Sequence, residues 1–267
     1  MSDQSAGAGG AADVATTGRK VFFLYPHSVM QEQLIQIIFH AEYEAYLIRD
    51  HVKVVRLLAD FPDSILFVNI DERIRELDWK IFVEQLMSSP ATASVRVGIL
   101  SYEEDPALVR HYLMKLMAPC GFIKLKIGLA ESARILLSVL EVNEARGKRR
   151  HVRAVLSDES RITFNIKVGH LLVSGLIRDI SLAGMACQFD EAQDVAQGTR
   201  LSDIQLNLRG AIVRISGTVA GSRETPDGPT YVILFEVPEI GEARRRVHTF
   251  IYNTLQAQMD RRLAAIT

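Results

Sequence analysis

Apolar and polar positions along the chain change their rhythm near residue 150, and the two halves predict different kinds of fold. From Val21 to about Leu140, short apolar runs alternate with longer stretches whose apolar residues recur at steps of three and four. The runs at 21–25, 45–48, 64–70, 95–100 and 122–127 read as buried strands. The stretches at 29–41, 52–59, 79–87, 108–117 and 131–140 have helical periodicity; in the first, Leu34, Ile37, Ile38 and Ala41 share one side. Five such strand–helix repeats predict a parallel sheet with helices on both faces.

Beyond Arg153 the helical period gives way to apolar runs separated by Gly, Asp and Asn. Segments 154–156, 162–168, 170–176, 184–189, 203–208, 211–219 and 230–237 are β-like. Many short strands without intervening helices predict a closed antiparallel barrel, because closure removes exposed strand edges. Gly241 then introduces a helix whose Val247, Phe250, Ile251, Leu255, Met259 and Leu263 recur at helical spacing. That stripe is expected to cover the barrel, with homodimer formation as its second reading.

Composition adds limits. The chain has 267 residues, 48% of them hydrophobic and 24% charged, which suits a soluble protein of two modest domains. Its net charge of −1 means that any anion site must be a local basic cluster. Cys120 and Cys187 lie far apart in apolar surroundings, without the spacing of a zinc site or a disulfide framework, and read as buried thiols. Residues 1–19 are Gly/Ala/Ser/Asp-rich and lack the basic start and apolar core of a secretory signal, so they read as a disordered tail. No apolar run approaches the length of a membrane helix. The expectation is a cytoplasmic protein without membrane insertion. Its parts are the tail, an α/β domain at 20–142, a basic linker at 143–153 and a β domain with a C-terminal helix at 154–267.

In the α/β domain the candidate chemistry lies where the strands end. Tyr25, Pro26, His27 and Ser28 follow the first strand, Asn69 ends the third with Asp71 two residues on, Ser101 ends the fourth and Lys126 the fifth. The order and spacing of these elements resemble the response-regulator receiver domain, a flavodoxin-like fold. That resemblance implies a phosphoacceptor aspartate where Asn69 stands and an acidic, magnesium-binding pair after the first strand, where no carboxylate occurs. Only the hydroxyl of Ser101 and the amine of Lys126 match. Without a carboxylate cluster a divalent ion lacks its hard-oxygen cage, so the phosphorylation site reads as degenerate and the domain as one for packing or partner docking. Asp71, Glu72 and Asp78 read as a solvated acidic loop rather than a metal site.

The linker concentrates charge: Arg146, Lys148, Arg149, Arg150 and Arg153 fall within eight positions without an acid. A solvated hinge and a nucleic-acid arm are two readings of such a run. No basic face with interleaved aromatics continues beyond it, which argues against nucleic acid. Arg149 and Arg153 form an RxxxR, and Asp179, Ser181 and Gly184 a DxSxxG. Arginine forks hold phosphates bidentately and read the O6/N7 edge of guanine. A carboxylate accepts from guanine N–H groups, and glycine admits a flat ring close to backbone. Taken alone, DxSxxG reads equally as a hairpin turn closed by its Asp or Ser.

In this order the two motifs resemble those of the PilZ domain, a six-stranded antiparallel barrel that binds the bacterial second messenger cyclic di-GMP. The resemblance covers Lys148 to roughly Tyr252. It implies that Lys148, Arg149 and Arg153 hold phosphate and guanine, that Asp179 and Ser181 fix a guanine edge, and that Gly184 leaves room for the ring. Arg146 and Arg150 form an overlapping RxxxR; Arg149/Arg153 is preferred because the family's second arginine immediately precedes the first strand. Lys148 stands where many members carry another arginine, which leaves the number of bound ligands open. No nucleophile elbow, Walker loop or HExxH occurs, nor the GGDEF, EAL or HD-GYP signatures of enzymes acting on the messenger. The expectation is therefore a non-enzymatic cyclic di-GMP receptor, without cofactor or metal, that relays the signal to a downstream protein of motility or another such system. The alternatives are a ligand-free adaptor, and a response regulator phosphorylated at Asp71.

Overall fold

The computed structural model describes residues 18–26, 28–157, 162–168, 170–191, 193, 195–236 and 241–267. Of the tail expected at 1–19, residues 1–17 lie outside the described residues, as do His27 and Val237 at the margins of expected elements. The chain forms two compact units: His151–Leu255 is one, and the residues up to Arg150 with Gln256–Thr267 are the other.

The first unit contains strands β1 (Val21–Leu24), β2 (Ala45–Ile48), β3 (Ile65–Asn69), β4 (Arg96–Ser101) and β5 (Phe122–Lys124). Its helices are α1 (Ser28–His40), α2 (His51–Ala59), α3 (Glu76–Ser88), α4 (Pro106–Arg110) and α5 (Leu129–Val142). All strand pairs are parallel, in the order β2-β1-β3-β4-β5, the doubly wound flavodoxin-like arrangement. Every residue of β1 and β3 is buried, as expected of strands covered on both faces. Asp50 starts α2 by accepting from the amides of Val52 and Lys53, and Asp105 caps α4 with Pro106 in the first turn. Gly98 is required where β4 passes Phe67, because a Cβ there would lie 2.7 Å from that ring.

In this unit element ends shift from those expected by up to three residues, among them those of the fifth strand and the fourth helix. β5 stops at Lys124, three residues short of the run's apolar end. The helix expected at 108–117 begins at Pro106 and widens into a π-helix over His111–Lys115, burying Tyr112 fully. Apolar periodicity locates such a helix but does not reveal that its pitch changes within it.

The second unit contains β6 (Arg153–Val155), β7 (Thr163–Val168), β8 (Leu171–Ser181), β9 (Gly184–Phe189), β10 (Arg200–Leu208), β11 (Ala211–Thr225) and β12 (Gly228–Phe235). Strands β8, β7, β10, β11, β12 and β9 pair antiparallel in that order, and β9 returns to β8, closing a six-stranded barrel. β6 is annexed to β8 outside the ring. Phe164, Ile177, Ile180, Ile204, Leu206 and Ile233 are buried in its core. β8 runs to Ser181, past its expected end at 176, because β7 pairs with its first half while β6 and β9 pair with its second. A bulge between Ile177 and Asp179 shifts the alternation, so Ile180 returns to the core while Asp179 stays partly exposed.

Helix α6 (Glu242–Ala265) ends the chain. Val247, Phe250, Ile251 and Leu255 of its apolar stripe are buried and belong to the second unit. Met259 is also buried, but it and Leu263 fall in the segment that groups with the first unit. Within that unit the Gln256 amide pairs with both backbone groups of Leu47 on β2, accepting at 2.9 Å and donating at 3.0 Å. Among the described residues no helix is long and apolar enough to cross a membrane.

Candidate functional site

Candidate chemistry gathers in two places, the C-terminal edge of the parallel sheet and the motif-bearing rim of the barrel. In a sheet of this order ligands enter beyond the strand ends, where β1 and β3 diverge. Here the chain's own side chains meet at that place. Asn69 is fully buried; its Nδ2 donates to the Tyr25 carbonyl at 2.9 Å and its Oδ1 accepts from the Asp71 amide at 3.1 Å. The Asp71 carboxylate accepts from Ser101 Oγ at 2.5 Å and from the Tyr102 amide at 2.6 Å. Partial burial, aided by that carboxylate, holds the Tyr102 phenol above its ordinary pKa. Tyr25 adopts φ +47°, and its hydroxyl meets His51 Nδ1 at 3.0 Å beside the Trp79 ring. Lys126 lies 3.8 Å from Glu104. Among the described residues no three His, Cys, Asp or Glu side chains are grouped to hold a metal ion.

Asp71 thus ties the loop after β3 to the end of β4. Replacing it with alanine is expected to cost about 1.5–3 kcal/mol, the range for losing a hydrogen bond to a charged group. Urea unfolding followed by Trp79 fluorescence measures this, and Asp71→Asn, which keeps an acceptor, should lose less.

On the barrel, the register of β6 against β8 sets Arg153 opposite Ser181 and Val155 opposite Asp179. Arg153 Nη1 lies 3.3 Å from each Asp179 carboxylate oxygen. The arginine side chain is 42% exposed and the aspartate 16%, so a guanidinium open to solvent stands over a more sheltered carboxylate. Burial pushes the Cys187 thiol on β9 up to about 12, with the Asp179 charge adding to the effect.

Ser181 is buried, and the hydroxyl expected to reach a guanine edge is turned into the hairpin. It accepts from the Ala183 amide and donates to the Gly184 carbonyl, both at 3.3 Å. Gly184 answers a demand of the barrel itself: a Cβ there would lie 2.2 Å from the Ile233 carbonyl oxygen on β12. Lys148, Arg149 and Arg150 are exposed. Arg146, of the overlapping RxxxR, is engaged within the first unit. It donates to the Ala41 carbonyl at 2.7 Å and lies 4.9 Å from the centre of the Tyr43 ring.

One motif neighbour escaped the sequence reading. Arg178 Nε donates to Gln188 Oε1 at 2.6 Å, and Gln188 Nε2 donates to Thr230 Oγ1 at 3.0 Å. This network steadies the strand immediately before Asp179 from the β9 and β12 side. Sequence carried no signal for it, because the strand expected there ends at 176, two residues before Arg178.

The rim therefore offers an exposed, forked cation next to an anion, with more basic side chains just upstream in sequence. Such a set can bind a phosphate through the guanidinium while a carboxylate takes N–H donors from a base.

Residues 147–253 match the PilZ domain family, so this stretch is a PilZ domain. The solved PilZ domain of YcgR from Escherichia coli with cyclic di-GMP is similar to this chain at 16% identity and TM-score 0.38, covering 45% of this chain and 99% of that one. The MrkH–cyclic di-GMP complex of K. pneumonia is similar at 19% identity and TM-score 0.38; the likeness covers 44% of this chain and 57% of MrkH, little more than half its length. A signal receiver domain of an HD domain-containing protein from Pseudomonas fluorescens Pf-5 is similar at 15% identity and TM-score 0.40, covering 48% of this chain and 90% of that one. No curated protein matches the chain.

Proposed function

We propose that this chain is a receptor for cyclic di-GMP that acts by binding, not catalysis, and passes the signal to a partner protein. The observation that carries this reading is a PilZ domain in which Arg153 and Asp179, one from each motif, stand 3.3 Å apart on one rim. Arg149 and Arg153 would hold the phosphates and a guanine O6/N7 edge, with Lys148 adding charge. Asp179 would accept from guanine N–H groups. Ser181 and Gly184 act one step back, by shaping the turn on which Asp179 is presented. Engagement of Arg146 with Ala41 and Tyr43 favours Arg149/Arg153 as the working pair over Arg146/Arg150. The flavodoxin-like unit, whose strand ends are tied together through Asn69, Asp71 and Ser101, serves in this reading as the surface that meets the partner.

Calorimetry of the full chain against cyclic di-GMP, cyclic di-AMP and GTP tests the reading. Saturable binding of cyclic di-GMP alone is expected, with protection of residues 146–153 from proteolysis. Heat from none of the three, with an intact fold by circular dichroism, would instead identify an adaptor without a nucleotide.

A further inference from the structure

A cleft of about 450 Å³ opens in the second unit between the β10–β11 turn and the first turns of α6. Its size falls in the range of small-ligand sites, roughly 300–1,000 Å³. Leu208 and Phe250 give it an apolar wall, and Arg209, Arg245 and Arg246 line it with Glu242 as the sole carboxylate. None of the RxxxR and DxSxxG residues contributes to it.

The charges are unevenly matched. Arg246 is neutralised by Glu242 at 2.5 Å and also donates to the Ile212 carbonyl at 3.2 Å. Arg209 rests over the Phe250 ring, 5.8 Å from its centre. Among the described residues neither Arg209 nor Arg245 has a carboxylate within ion-pair distance, so two positive charges line the cleft uncompensated.

Arg209 also stands where local preference would not put it. Leu208 pairs with Ala211, leaving a two-residue hairpin turn in which Arg209 has φ +55° and Gly210 φ +87°. Left-handed backbone at both positions is the type I′ turn, whose first position favours Asn, Asp or Gly. Asn207 further supports the turn by accepting from the Gly210 amide at 2.9 Å. An arginine held in that conformation breaks a local rule at a cavity, which is where function is expected to override propensity.

We infer that this cleft binds a small phosphate monoester with an aromatic or apolar body. Two unpaired guanidiniums match the two charges of such a dianion, and forked donors suit its oxygens. The body lies against Leu208 and Phe250.

Phenyl phosphate is the probe, titrated into the full chain by calorimetry beside inorganic phosphate and benzoate. It should bind about tenfold more tightly than either, since each of those lacks either the body or the second charge. Arg209→Asn suits the turn and should keep or raise the melting temperature, yet weaken phenyl phosphate by about tenfold or more. Arg245→Gln should weaken it similarly, and cyclic di-GMP titrations of both variants should match wild type. Equal binding of inorganic phosphate would mean an adventitious ion only and overturn the inference. So would equal binding of benzoate, or wild-type affinity for phenyl phosphate in Arg209→Asn. A parallel loss of cyclic di-GMP binding would show that the cleft is not a separate site.

Discussion

Gly184→Ala is expected to destabilise the barrel by about 3 kcal/mol or more, at or above the upper end of the usual cost of overpacking. The added Cβ would lie 2.2 Å from the Ile233 carbonyl oxygen and 3.1 Å from Leu234 Cα. These are backbone atoms of β12, paired through Leu234 with Gly184 itself, so no side chain can swing aside. Relief requires β9 and β12 to separate, which strains the ladder that closes the ring. The sign is diagnostic. At a position free of contacts, glycine to alanine stabilises by about 0.4–1 kcal/mol through the unfolded chain. Denaturant unfolding read by far-ultraviolet circular dichroism decides the matter, and a neutral or stabilising result would disprove the close approach. Gly175, whose Cβ would meet the Gln188 carbonyl at 2.1 Å, should behave alike.

The second large effect concerns binding and rests on the proposed receptor function. Arg153→Ala should weaken cyclic di-GMP by about 1.5–3 kcal/mol, roughly tenfold to 150-fold, the measure of one charged hydrogen-bonding partner. Arg153→Lys keeps the charge but loses the fork, and should recover only part of the loss. Asp179→Ala should cost a similar amount. The two side chains touch, so their losses should not add, and the double variant should fall short of the sum. Folding should be nearly untouched, since an ion pair this exposed is worth about 0–1 kcal/mol. Calorimetry on the four variants with thermal melts alongside separates the two outcomes. Wild-type affinity in Arg153→Ala and Asp179→Ala would remove both residues from the site.

Much of the architecture was readable from periodicity, because burial imposes it directly. The parallel sheet follows from five buried runs with helical stretches between them, and the barrel from β-like runs without helices. The end of β8 was not readable. Arg178 and Asp179 are polar, yet they continue a strand because β6 and β9 supply backbone partners far away in sequence. Asp71 likewise pairs with Ser101, thirty residues on, only because β3 and β4 lie side by side. Gly184 shows a different limit. A glycine in DxSxxG can be read as a turn residue or as clearance for a ligand, and only the position of β12 reveals which strand it must admit. The motif residues stand out in sequence by their spacing and chemistry, whereas the inward turn of Ser181 depends on hairpin geometry that residue types do not encode.

Gln256 has a consequence for how the molecule meets copies of itself. β2 is one of the two edge strands of its sheet, with β5 at the other side, and such margins carry spare amide and carbonyl groups that invite foreign chains. By engaging both groups of Leu47, a single side-chain amide stands in for one residue of an absent sixth strand. That margin is thereby occupied at Leu47, where an added strand would first have to displace the Gln256 amide.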